Sequence, residues 1–181
     1  LFDGLNSSNV IHRKYGDKIF LIDNLKNTKG NQMKLIVLRG VSGSGKTTKA
    51  NELKNDFLGQ SPGGLVHICS ADDFFVNPKT REYKFDGSKL SQAHAWCKGR
   101  AYAAMSLGAD LVIVDNTNTR KWEYQSYLDM AELFGYEVEE CVVGDFDDES
   151  LLVYAERCVH GVPFEHITKM ANRFEYEITA D

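Results

Sequence analysis

Eight consecutive residues, Gly40-Val41-Ser42-Gly43-Ser44-Gly45-Lys46-Thr47, constrain this chain more than any other stretch. They fit G-x-x-x-x-G-K-[ST] without a mismatch, a pattern that works where a strand runs into a turn that opens a helix. The apolar run Lys34–Arg39 stands before the turn, and a helical run starts inside GKTT and reaches about residue 58. Glycines let successive backbone N–H groups turn inward around phosphate oxygens, and the positive end of the helix adds to them. Gly40, Ser42, Gly43, Ser44, Gly45, Lys46, Thr47 and Thr48 are therefore the expected nucleotide-binding residues. Lys46 supplies a point charge to the outer phosphates, and the Thr47 hydroxyl suits Mg²⁺. The bland alternative is an accidental glycine turn, and the strand before it and helix after it argue against that.

The ligand named by such a loop is a nucleoside triphosphate, ATP or another, with Mg²⁺; the use made of it has to be read elsewhere. Further strand candidates at 65–70, 110–115 and 136–143 alternate with helical stretches at 89–107, 121–134, 147–158 and 163–175. That alternation predicts βαβ units, and so a three-layer α/β fold with a parallel sheet and a C-terminal helical lid. Gly59 and the SPGG at 61–64 are expected to break the first helix. In the second helix Leu90, Ala93, Cys97, Ala101, Ala104 and Met105 recur at core-facing spacing, with His94 expected to pack on the same stripe. Tyr124, Tyr127, Leu128 and Ala131 do the same in the third, which Gly135 stops. An acidic cluster at 147–149 favours a helix start, and Pro163 suits a first helical turn.

Residues 1–33 read as an N-terminal extension to a nucleotide-binding domain at 34–181. Within it VIHRKYGDKIFLI fits a hairpin turning at Gly16-Asp17, followed by a polar linker over 24–32. The first residue, Leu1, suits a domain cut from a longer protein. No apolar run is long enough to span a bilayer, and no signal-peptide pattern opens the chain, which excludes a membrane role. Cys69, Cys97, Cys141 and Cys158 are far apart without a CxxC pair, so reduced thiols in an intracellular compartment, cytoplasmic or nuclear, are expected. A net charge of −5 excludes coating nucleic acid over many phosphates. It leaves room for a grip on one strand end by cations gathered in a cleft.

Four more stretches bear on the chemistry. LVIVDNTN, 111–118, is an apolar strand ending in Asp115, an acid placed to orient Mg²⁺; capping of the next helix by Asp115, Asn116 or Asn118 is the structural alternative. ICSADDFF, 68–75, puts Asp72 and Asp73 after the second strand, at the sheet edge where ligands bind. A carboxylate there can accept the proton of a hydroxyl attacking the γ-phosphate, and Asp72 is the candidate, with helix capping again the alternative. YAERCVHGVPFEHITKMANRFE, 154–175, holds Arg157 and Arg173 in a late helix–turn–helix, where a cation can reach the transferring group. Surface pairing with Glu156 or Glu177 is the other reading for them. Lys79, Arg81, Lys84 and Lys89 lie among Tyr83 and Phe85 in 77–90, a mixture that fits a nucleic-acid end or a charged solvated loop.

The order GVSGSGKTT, SADDFF, AHAWC, VIVDNTN, ERCVHGVP and MANRFE resembles the polynucleotide-kinase-like P-loop kinases over about residues 34–176, the eukaryotic RNA end-repair members above all. The resemblance implies transfer of the γ-phosphate of ATP to the 5′-hydroxyl of RNA or DNA, RNA being favoured. It also implies adjoining phosphodiesterase or ligase domains in a longer chain. By the same resemblance Lys46 and Thr47 take phosphate and Mg²⁺, Asp72 is the general base, Arg157 a lid arginine, and Arg173 a second cation near the nucleotide. The chain departs from the pattern at Phe75, where the bacteriophage enzyme has an arginine for the substrate phosphate. Either that contact passes to the 77–90 cations or Arg100, or Phe75 instead stacks on the terminal base; Asp73, Phe75 and Asn116 are also expected beside the substrate. Two rival readings stand beside this one: a small-molecule kinase of the same fold, and a nucleotide-dependent binding module without transferase activity.

Overall fold

A computed structural model describes residues 10–15, 18–23, 32–158 and 161–176, the first two segments as backbone only. The chain divides into two units, Leu1–Gln32 and Met33–Asp181. In the first, strands β1 (Val10–Tyr15) and β2 (Lys18–Asp23) pair antiparallel, from Val10 opposite Asp23 to Tyr15 opposite Lys18. The turn expected at residues 16 and 17 and the linker expected up to residue 31 lie outside the described residues.

The second unit is built on a parallel sheet of β3 (Lys34–Arg39), β4 (Val66–Cys69), β5 (Leu111–Asp115) and β6 (Glu137–Val142) in the order β4-β5-β3-β6. Central parallel strands are covered on both faces, so they read as unbroken apolar runs rather than alternating ones. β5 is buried at every residue and β3 at all but Lys34. Side chains still alternate in direction. Leu35, Val37, Val112 and Val114 pack on one face with α2 (Leu90–Ser106) and α3 (Lys121–Phe134). Ile36, Leu38, Leu111 and Ile113 pack on the other, against Ala50, Leu53 and Phe57 of α1 (Lys46–Gln60). The result is the three-layer α/β arrangement of P-loop kinases. Helices α4 (Asp148–Arg157) and α5 (Phe164–Asn172) form a smaller cluster, in which Leu151, Tyr154 and Ile167 bury Val41 of the loop.

Most helix ends follow local chemistry. Asp147 caps α4 by accepting from the Ser150 amide, Pro163 sits one residue before α5, and Gly135 ends α3 in the left-handed conformation. Three expectations are corrected. α1 runs past Gly59 to Gln60 and stops where the Ser61 N–H bonds to the Phe57 carbonyl. Leu90 is exposed at the first turn of α2, and His94 is exposed rather than packed in the core. All four cysteines are free, and among the described residues no helix is long and apolar enough to cross a membrane.

Candidate active site

β3 delivers the chain to Gly40, whose N–H donates to the Thr117 carbonyl after β5. A Cβ at Gly40 would lie 2.6 Å from the Val143 carbonyl oxygen and 2.7 Å from the Ser44 Oγ, so the strand end accepts glycine alone. At Gly43, with φ +79°, a Cβ would collide with the Tyr154 carbonyl of α4. Gly45 then opens α1 from the left-handed region. Its helix start has no side-chain cap and no acidic residue in the first turn, which leaves the first N–H groups available to an anion.

Ser42, Gly43, Ser44, Gly45, Lys46, Thr47 and Thr48 line a cleft of about 630 Å³ together with Asp72, Asp115, Asn116 and Arg157. The sequence expected these residues to meet, and they do. Gly40 lies beneath the loop, outside the lining. Thr117, Val143 and Cys158 also face the cleft; Thr117 and Cys158 lie within the quoted motifs without having been singled out, and Val143 lies in none.

Lys46 is only 9% exposed, and its Nζ donates to the Val41 carbonyl at 2.7 Å. Burial pulls its pKa down to about 8, against the opposing pull of Asp115, Asp72 and Cys158. The Thr47 hydroxyl donates to the Asp115 carboxylate at 2.8 Å. Asp115 is itself buried, which holds its carboxyl above the usual range despite that bond and Lys46. Neither Asp115 nor the two asparagines after it caps α3, whose first turn is closed by Arg120 and Glu123. Asn118 is buried at φ +46°, where asparagine is among the few tolerated side chains, and its Nδ2 donates to the Leu38 carbonyl.

Asp72 opens a 3₁₀ turn, Asp72–Phe75, directly after β4. Asn116 fixes this turn to the neighbouring strand, since its Oδ1 accepts from the Ala71 N–H at 2.8 Å while its Nδ2 meets the Cys97 sulfur. Asp72 is exposed to the cleft, and the Tyr83 hydroxyl approaches its carboxylate at 3.4 Å. Arg157 reaches the loop from the end of α4: its Nε donates to the Gly43 carbonyl at 2.6 Å, and its guanidinium stacks on Tyr154.

Four expected site residues lie elsewhere. Asp73 turns away to a 2.6 Å ion pair with Arg100, which also bonds the Ile68 carbonyl. Arg100 is thus a brace for the turn and not an open cation. Phe75, 7% exposed, is enclosed by Phe74, Tyr83 and Phe85, so it cannot stack on a terminal base. Arg173 bonds the Thr119 hydroxyl and pairs with Glu123 at the start of α3, apart from the cleft lining. Arg39 went unforeseen. It is buried beneath the loop, bonded to Glu140 and the Asn118 and Glu175 carbonyls, with the rings of Tyr124 and Phe174 on its guanidinium.

The residues fit a nucleoside triphosphate with Mg²⁺. The Ser44 hydroxyl is buried without a hydrogen-bond partner among the described residues, inside a glycine cradle that a side chain would fill. The Thr47 hydroxyl and Asp115 carboxylate form a hard-oxygen pair. Among the described residues no cluster of three or more His, Cys, Asp or Glu side chains is gathered for a metal. Two protein oxygens completed by phosphates and water is the usual way to hold Mg²⁺.

The profile of a protein family described as an AAA domain matches residues 35–176. The human NEDD4-binding protein 2 is 34% identical over 144 residues, which cover 78% of this chain. The chain spans only 8% of that relative's length. Among solved structures, Kti12 of Chaetomium thermophilum in complex with ADP-AlF3 has a TM-score of 0.54 at 20% identity, covering 78% of this chain and 80% of that one. A chain of the Pnkp1/Rnl/Hen1 complex gives 0.52 at 19%, covering 74% and 41%. At these identities the likeness is one of fold.

Proposed function

The chain belongs to the AAA domain family, and from that membership and the cleft we propose that it is a phosphotransferase acting on the 5′-hydroxyl end of a polynucleotide, RNA ahead of DNA. Its phosphate donor is ATP with Mg²⁺. The observation that carries the reading is Asp72, an exposed carboxylate lining the same cleft as the phosphate-binding loop and anchored there through Asn116.

Thr47 and Asp115 hold the Mg²⁺, which when bound offsets the charge of the β- and γ-phosphates. Asp72 accepts the proton of the acceptor hydroxyl as its oxygen bonds to the γ-phosphorus. The bond to the β–γ bridging oxygen breaks, and that oxygen leaves with ADP. Lys46 and Arg157 bring positive charge to the cleft beside the loop. Phosphoryl transfer is largely positioning plus charge stabilisation, and these residues supply both. End healing, beside phosphodiesterase or ligase domains in a longer chain, is the proposed setting.

The test is transfer of labelled γ-phosphate to short 5′-hydroxyl RNA and DNA, with Asp72→Asn alongside. The expected result is label on the oligonucleotide, reduced about 10²–10⁴-fold in the variant, with ATP affinity changed less than about twofold. Label appearing only on a small-molecule hydroxyl would overturn the polynucleotide reading. ATP binding with no transfer to any hydroxyl would make the chain a binding module.

A further inference from the structure

Aromatic side chains run outward from Asp72 in unbroken contact. The Tyr83 hydroxyl meets the Asp72 carboxylate, and the Tyr83 ring packs edge-on to Phe75 at 6.3 Å. Phe75 in turn holds Phe85 at 5.1 Å and Phe74 at 5.4 Å. Phe74 abuts Trp96 at 5.9 Å, and the guanidinium of Arg100 lies over the Trp96 ring at 4.8 Å. The two ends of this ledge stay open to solvent, with Phe85 55% and Trp96 38% exposed. Phe85 packs on buried Phe75 and Trp96 on half-buried Phe74, so both exposed rings are held in place.

Charge around the ledge runs against that of the chain. Residues 77–100 hold six Lys and Arg against two Asp and Glu, a net +4 in a chain of −5. Val76 and Tyr83 close an arm by an antiparallel bridge, and the Asn77 side chain caps the Lys79 and Thr80 amides. At its tip Arg81 is held at φ +62°, a strained value for a non-glycine residue. Lys79, Arg81 and Lys84 are exposed and form no salt bridge with a described residue.

We infer that this ledge is the acceptor-strand platform: Phe85 and Trp96 stack the first bases of a single-stranded nucleic acid, while Lys79, Arg81 and Lys84 pair with its phosphates. The inference rests on the proposed polynucleotide reading and names the surface that serves it. Stacking on exposed rings with flanking cations holds any base, so the platform selects single strands over duplex and carries little sequence preference. Arg100 is a positioning residue, since it clamps Trp96 to Asp73 and reaches no open surface charge.

The experiment uses the full chain carrying Trp122→Phe, which leaves Trp96 as the sole tryptophan. Short 5′-hydroxyl oligouridylate and oligothymidylate are titrated without ATP while Trp96 emission is followed. Quenching is expected, and Phe85→Ala should weaken binding about 5- to 150-fold, with Phe85→Tyr restoring it. Lys84→Ala should flatten the salt dependence of log K by about 0.7, the share of one phosphate on a single strand. ATP affinity serves as the folding control for each variant. Wild-type phosphorylation of oligonucleotides with no quench and no Phe85→Ala effect overturns the platform and leaves the kinase reading standing. Quench and Phe85 dependence without phosphate transfer supports the platform and overturns the kinase reading. No quench together with no phosphate transfer to either oligonucleotide overturns both.

Discussion

Lys46 ties nucleotide binding to pH. Burial lowers its pKa from 10.5 to about 8, and a bound polyphosphate supplies the negative charge that the buried ammonium lacks. If binding restores the ordinary value, the gap corresponds to about 3 kcal/mol that bound nucleotide gains from a charged Lys46 at high pH. Affinity is then flat below about pH 8 and falls about tenfold per pH unit above it, up to the ordinary lysine value. Titration calorimetry at pH 7 and pH 9, in buffers of different ionisation enthalpy, measures the linked proton directly. Uptake should be about 0.1 proton at pH 7 and about 0.9 at pH 9. Lys46→Arg, whose guanidinium stays charged, should show neither uptake nor the fall. A wild-type affinity flat from pH 7.5 to 9.5, with no proton taken up, would refute the reasoning. The sign for stability runs the other way. A lowered lysine pKa means the free protein bears the cost of a buried cation below about pH 8, and that cost fades as the pH rises towards 10.5. Lys46→Met should accordingly stabilise the nucleotide-free protein at neutral pH while abolishing nucleotide binding, read by urea unfolding and calorimetry together.

Other residues make separate predictions. Gly43→Ala sets a Cβ against the Tyr154 carbonyl at a positive φ, and nucleotide affinity should fall at least tenfold with α4 displaced, as seen by proteolysis at the α4–α5 connection. Asp115→Asn keeps the shape but removes the charge beside Thr47, so the Mg²⁺ concentration for half-maximal turnover should rise while nucleotide affinity without metal changes little. Arg39→Met leaves the Glu140 carboxylate to the Tyr124 hydroxyl and takes the donor from two carbonyls beneath the loop, and urea unfolding should report a loss of about 3–5 kcal/mol. A loss below about 1 kcal/mol would show that Arg39 contributes little beyond its packing.

Much of this was legible because buried parallel strands and helical stripes leave strong patterns. β3 and β5 are unbroken apolar runs, and the loop between β3 and α1 has its own spacing. The errors have physical causes. Leu90 and His94 fall within the angular stripe that Ala93, Cys97, Ala101 and Met105 define, so periodicity could not separate them from the buried positions; both sit in the first two turns of α2, where they are exposed. Phe75 was read beside the substrate because its ring partners, Tyr83 and Phe85, come from a loop with no strand or helix pattern. Arg173 meets a threonine 54 positions away, and Arg39 a glutamate 101 away, contacts that no local pattern announces. Asn118 was legible as part of a motif but not as a residue in the left-handed region, which depends on the strand end it must turn. The cleft itself was assembled correctly in outline, since Lys46, Thr47, Asp72, Asp115 and Arg157 all border it.

On the proposed reading, the strand order separates the two ends of the reaction. β3 carries the phosphate-binding loop, β4 leads to Asp72, and β5 stands between them with Asp115 at its tip. The Val76–Tyr83 arm satisfies much of its backbone internally, with Asn77 and Glu82 bonded to each other and Arg81 returning to Asn77. An arm built this way can lengthen, shorten or change its side chains without moving β3. Relatives that keep the donor end and Asp72 intact can therefore, on the proposed reading, change their acceptors by editing the arm from Val76 to Tyr83. The same boundary marks where an engineer would graft a new acceptor loop onto this scaffold.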